Sequence, residues 1–76
     1  MKIQIKYCVV WNYLPRATSL AAALKKRYVI EPILIPGDRG AFDILINERL
    51  IFSKKNVGRF PDSDEEIFSK IDSLQH

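Results

Sequence analysis

Lys2–Tyr7 alternates without a break: Ile3, Ile5 and Tyr7 fall on one side, Lys2, Gln4 and Lys6 on the other. A period of two predicts a half-buried β-strand. The apolar stretch Cys8-Val9-Val10-Trp11 predicts a loop leading into a helix. Asn12 is placed to cap that helix, and Pro15 falls in its first turn, where a missing N–H costs little. Ala17, Leu20, Ala21, Leu24 and Tyr28 recur at helical spacing and predict one buried face. Lys25, Lys26 and Arg27 then bring positive charge to the last turn, favourable against the helix dipole.

Val29–Ile35 is rich in β-branched residues and predicts a second strand. Pro32 inside it has no N–H to give to a ladder, which places this strand at a sheet edge. Residues 36–40 predict a loop, and Ala41–Ile46 alternates again with Phe42, Ile44 and Ile46 on one face. A short turn at Asn47-Glu48-Arg49 and a return over Leu50–Ser53 predict a hairpin. Residues 54–59 are expected to form a basic loop. Asp62 or Ser63 is the expected cap of a last helix, with Glu65 or Glu66 as the acid three residues on and Ile67, Phe68, Ile71 and Leu74 as its buried stripe. The expected fold is therefore α/β, in the order β-α-β-β-β-α. A right-handed crossover joins the first two strands in parallel, and the two helices pack on a four-stranded mixed sheet of order 2-1-3-4.

Length and composition restrict the chemistry. The 76 residues are expected to form one domain over 1–76, burying roughly 60% of the surface of the unfolded chain. Cys8 is the single cysteine, so no disulfide can close within the chain, and any thiol chemistry passes through it. Cys8 and His76 stand at opposite ends, which argues against a structural zinc site. No apolar run is longer than five residues, as at Leu20–Leu24, so no membrane span is expected, and the alternating N-terminus lacks the apolar core of a signal peptide. A free thiol without an export signal points to a reducing compartment, the cytoplasm.

Charge is unevenly spread: residues 1–59 carry a net +7 and residues 60–76 a net −4, within a total of +3. A basic body suits nucleic acid or acidic proteins, but no nucleic-acid motif accompanies it, and a solvated surface is the favoured reading. Cys8, just before a helix, is the candidate redox thiol; the helix dipole, Lys6, Arg16 and the Lys54-Lys55 loop are expected to lower its pKa. The alternative is a buried thiol acting as a small hydrophobe. Trp11 is expected to pack on the sheet, with an exposed partner anchor formed by Val9, Val10 and Trp11 as the alternative; Lys54 and Lys55 join the partner-binding candidates. Asp43 is expected to face solvent, and Tyr7 and Tyr13 to pack.

The element order, with a cysteine just after the first strand, is the compact thioredoxin-like arrangement. Tyr7-Cys8, the run Pro36–Ile44 with its Gly40-Ala41-Phe42-Asp43, then Leu50-Ile51-Phe52-Ser53-Lys54-Lys55 and Gly58-Arg59-Phe60-Pro61 resemble the selenoprotein W/T/H-like family, the Rdx family, over about residues 3 to 74. Members of that family resemble thioredoxins and are regarded as thiol or selenol redox proteins, with Cys-x-x-Cys or Cys-x-x-selenocysteine between strand one and helix one. The motif reads Cys8-Val9-Val10-Trp11, so the resemblance implies that Trp11 stands where the second redox residue would be. The hairpin also lacks the glycine that the family usually places in its turn. What the resemblance implies is at most a monothiol oxidoreductase-like activity: Cys8 forms a mixed disulfide with glutathione or a protein, and an external thiol releases it. No cofactor is implied beyond glutathione as a thiol partner. The alternatives are a non-redox interaction module acting through Val9–Trp11 and, last, nucleic-acid binding; a monomer or weak dimer is expected.

Overall fold

A computed structural model describes residues 1–74 of the chain. Its elements are β1 (Ile3–Cys8), α1 (Leu14–Tyr28), β2 (Ile33–Gly37), β3 (Phe42–Ile46), β4 (Arg49–Ser53), α2 (Lys54–Val57) and α3 (Asp64–Ser73). The strands form one mixed sheet of order β2-β1-β3-β4, as the pattern predicts. β1 runs parallel to β2, with Ile5 opposite Leu34, and antiparallel to β3, with Ile5 opposite Ile44. The inner face carries Ile3, Ile5, Phe42, Ile44, Ile46 and Phe52. These pack with Ala17, Leu20 and Leu24 of α1 and Ile67, Phe68 and Ile71 of α3 into one core.

The structure corrects several boundaries. The second strand starts at Ile33, not Val29, and runs through Pro36 and Gly37, which were expected in a loop. Helix α1 occupies the chain to Tyr28, and Pro32 falls in the connection rather than inside the ladder. The edge position holds for the same physical reason carried by another residue: Pro36, opposite Tyr7, lies in a strand bonded on one side only. The hairpin turn is the two residues Asn47 and Glu48, at φ 51° and 68°, with Arg49 already in β4. Positive φ at both turn residues matches the twist of the flanking strands. Residues 54–57 are not loop but a single helical turn, ended by Gly58 at φ 82°, whose N–H reaches the Lys54 carbonyl at 2.7 Å. The helices therefore number three among the described residues, not two.

Neither expected side-chain cap forms. Asn12 sits at φ 57° in the turn before α1, and Tyr13 takes the cap position; Pro15 does lie in the first turn. Ser63 takes the cap position of α3 without a side-chain bond. Glu66 instead accepts the backbone N–H of Asp62 at 2.9 Å. At the other end of α1, Tyr28 donates its hydroxyl to Asp72 at 2.7 Å, and Arg27 donates to the same carboxylate at 2.7 Å, tying α1 to α3.

Val29 ends α1 in the left-handed conformation, φ 57°, and is 87% exposed. A β-branched residue is strained there, whereas glycine is not. Val29→Gly is therefore expected to raise stability by about 1 kcal/mol, read as a higher urea midpoint at unchanged slope.

Candidate functional site

Cys8 ends β1, and its N–H donates to the Ala41 carbonyl at 2.8 Å, fixing it to the start of β3. The chain then reverses in a tight turn. Asn12 N–H donates to the Val9 carbonyl and Tyr13 N–H to the Cys8 carbonyl, both at 3.0 Å, and Asn12 adopts φ 57° to make the bend. Asparagine tolerates that conformation better than most residues, which is the role it takes in place of capping. The fold of the turn points the Trp11 N–H at the Cys8 sulfur, 3.2 Å away.

The Cys8 side chain is fully buried. Burial pushes its thiol pKa up, but the backbone N–H groups of Trp11, Gly40, Val10 and Ala41 act against it, and the net direction is down. Dipoles that converge on the sulfur favour the thiolate. The cations that the sequence nominated are not among the causes. Their positions explain this. The Lys6 stem lies along Gly37, where an added Cβ would meet its Cγ at 2.7 Å. Arg16 stacks over the Phe60 ring at 4.0 Å, Lys54 stands 5.6 Å from the Tyr13 ring and 5.2 Å from Phe60, and Lys55 faces Asp38 at 4.0 Å.

Trp11 does not pack in the core: it is 54% exposed, beside Val9 at 56% and Val10 at 67%. Its ring rests against Gly40, where a Cβ would approach ring carbon Cζ3 to 2.9 Å, and Gly40 itself has φ +76°. Glycine is required there twice over, by conformation and by the indole. Trp11 also meets Tyr13 edge to face at 6.1 Å. Tyr13 meets Phe60 at 4.8 Å and Phe60 meets Phe42 at 5.2 Å, so an aromatic row runs from the turn to β3. Sequence reasoning used Phe60 only as part of a family pattern and missed it as a site residue. The signal available was the proximity of aromatic and cationic residues at 54–60, which is too common to single it out.

Phe60 is held by a polar clamp. Arg59 donates twice to Glu66, at 2.9 and 3.0 Å, and once to the Phe60 carbonyl at 3.0 Å. The Arg59 guanidinium and the Asp62 N–H hold the Glu66 carboxyl down at about 2. A depressed carboxyl pKa adds stability that is fully present above the unfolded value and is lost as pH falls through the folded one. Urea midpoints of the wild type should therefore fall faster than those of Glu66→Gln as pH drops from the ordinary carboxylate range toward 2.

Asp43 lies on the sheet face away from the core, as expected, between Lys6 and Ser53 in the ladder; it is half-buried there, and its Oδ1 is buried without a hydrogen-bond partner. Among the described residues no group of three His, Cys, Asp or Glu is placed to hold a metal; His76 lies outside them. None of the described helices is long and apolar enough to cross a membrane.

Similarity to known proteins bears on this arrangement. Bovine migration and invasion enhancer 1 is 39% identical over 62 residues, which are 80% of this chain and 54% of that protein, so the chain spans about half the length of this relative. Chicken selenoprotein W is 28% identical over 80 residues, covering 99% of this chain and 93% of that protein. A selenoprotein W-related protein from Vibrio cholerae superposes with a TM-score of 0.87 at 28% identity, over 96% of this chain and 94% of that one. A Bordetella parapertussis protein does so with a TM-score of 0.89 at 26% identity, over 96% and 95%. The Rdx family model matches residues 2–73, and the chain belongs to the Rdx family.

Proposed function

We propose that the chain acts as a monothiol redox protein through Cys8. Membership of the Rdx family suggests a redox-related role. The observation that carries the finer reading is the convergence of backbone N–H groups on the Cys8 sulfur, led by Trp11 at 3.2 Å, with a thiol pKa below its ordinary value. A thiolate is the attacking species in disulfide exchange.

In the proposed cycle the Cys8 thiolate attacks one sulfur of oxidised glutathione or of a protein disulfide. A bond forms between the two sulfurs, and the other sulfur leaves as a thiolate and takes up a proton. An external thiol then attacks the partner's sulfur in the mixed disulfide, and Cys8 departs as thiolate. The sequence holds no second cysteine to resolve the intermediate internally. Since the sulfur is buried, attack requires the 9–12 turn to move, carrying Trp11 off Gly40. A free thiol of this kind suits a reducing compartment, and we assign the chain to the cytoplasm. Intact-mass analysis of the folded protein after incubation with oxidised glutathione tests the reading. A single reducible adduct is expected; an adduct that forms only in denaturant contradicts it.

A second reading rests on a different observation. Val9, Val10 and Trp11 expose three adjacent apolar side chains at one tip of the molecule, which suits contact with a protein partner whether or not the thiol reacts.

A further inference from the structure

Beside the exposed tip lies an open groove of about 460 Å³ between the start of α1 and the start of α3, with Phe42 and Phe60 among its lining residues. Two cations hold the Phe60 ring, Arg16 at 4.0 Å and Lys54 at 5.2 Å, and neither has a carboxylate partner among the described residues. The same groove is lined by Asp62 and Asp64 of the α3 entry. Asp62 is 3.7 Å from Arg59, and its side chain is 78% exposed. An apolar surface that carries unpaired positive charge and nearby exposed negative charge is complementary to a ligand with the reverse order of charges.

We propose that this groove docks an extended segment of a protein partner, with an apolar side chain on the surface that Pro15, Phe60 and Pro61 leave open, an acidic residue on Arg16 and Lys54, and a basic residue toward Asp62 and Asp64. The inference rests on the reading that the chain contacts a protein, and adds where and by what chemistry. It does not require the thiol to react. Contact between a carboxylate and Arg16 would be strengthened by the ring beneath the guanidinium, which limits its motion and its hydration.

The test uses the full chain as Cys8→Ser, which removes thiol chemistry, and fluorescein-labelled peptides followed by polarisation. The peptides carry Asp-Leu-Lys and Lys-Leu-Asp cores between glycines, so that either chain direction is sampled, with an Asn-Leu-Lys and a Lys-Leu-Asn control. Saturable binding of at least one acidic peptide is expected, weakened about tenfold by its Asn control and about tenfold by Arg16→Glu or Lys54→Glu. Circular dichroism confirms that the variants fold. Binding that falls with Trp11→Ala but not with Arg16→Glu or Lys54→Glu would place the partner on the tip and overturn the groove. Absence of saturable binding by either acidic peptide overturns the groove as well.

Discussion

Trp11→Cys is expected to give a protein that closes an internal disulfide between Cys8 and the new thiol and gains dithiol reductase activity that the wild type lacks. The Trp11 N–H lies 3.2 Å from the Cys8 sulfur, so the turn already brings position 11 beside it. The turn is held by backbone hydrogen bonds from Asn12 to Val9 and from Tyr13 to Cys8, neither of which involves the indole. The new thiol would serve as the resolving group that the wild-type chain lacks. Trp11 is more than half exposed, so the change should shift stability under reducing conditions by no more than about 1 kcal/mol, from contacts with Gly40 and Tyr13. Thiol counting under denaturing conditions, before and after mild oxidation, reads the disulfide, and insulin reduction reads the activity. A variant that folds but keeps two free thiols after oxidation would show that the turn has left the redox geometry.

Ile44→Ala should remove a large share of the fold's stability. Ile44 is fully buried in β3, between β1 and β4, and faces the helices. Truncating such a residue costs about 3–4 kcal/mol, from lost transfer energy and the cavity left behind. A chain of this length has roughly 4–11 kcal/mol in total at the usual stability per residue. The loss should appear as a much lower urea midpoint, with Ile44→Val costing about 1 kcal/mol. A loss below about 1 kcal/mol for the alanine variant would mean that the core relaxes into the space.

The inner faces of β1 and β3 and of both long helices could be read directly, because alternation and helical spacing map straight onto burial. Ile3, Ile5, Leu20, Leu24, Ile44, Ile67 and Ile71 all lie where the pattern puts them. Proline misled locally. Its ring excludes ladder donation at both Pro32 and Pro36, and the pattern alone does not say which of the two enters the strand; the length of α1 decides it. The helical turn at 54–57 was hidden by its charge and shortness. Trp11 defeats a composition-based reading, since an apolar run looks like core; its exposure follows from the direction the 9–12 turn gives it and from a resting place on Gly40, some thirty residues on. The candidate thiol was legible, but the cause of its lowered pKa was not. Gly40 and Ala41 reach Cys8 through the pairing of β1 with β3, a tertiary contact, while the nominated lysines and arginine are engaged elsewhere.

The central claim is that backbone N–H groups around a buried sulfur favour its thiolate and lower the Cys8 pKa, and it is tested most directly by the pH dependence of Cys8 alkylation in the folded protein. Iodoacetamide rates measured across pH should rise through an inflection below the ordinary thiol value, with an absolute rate held down by the closed turn and raised by Trp11→Ala without moving the inflection. Because the N–H donors are backbone, Lys54→Gln should leave the inflection in place too. An inflection at or above the ordinary thiol value, or a thiol that reacts only once the protein unfolds, would contradict the account and leave Cys8 as a packing residue.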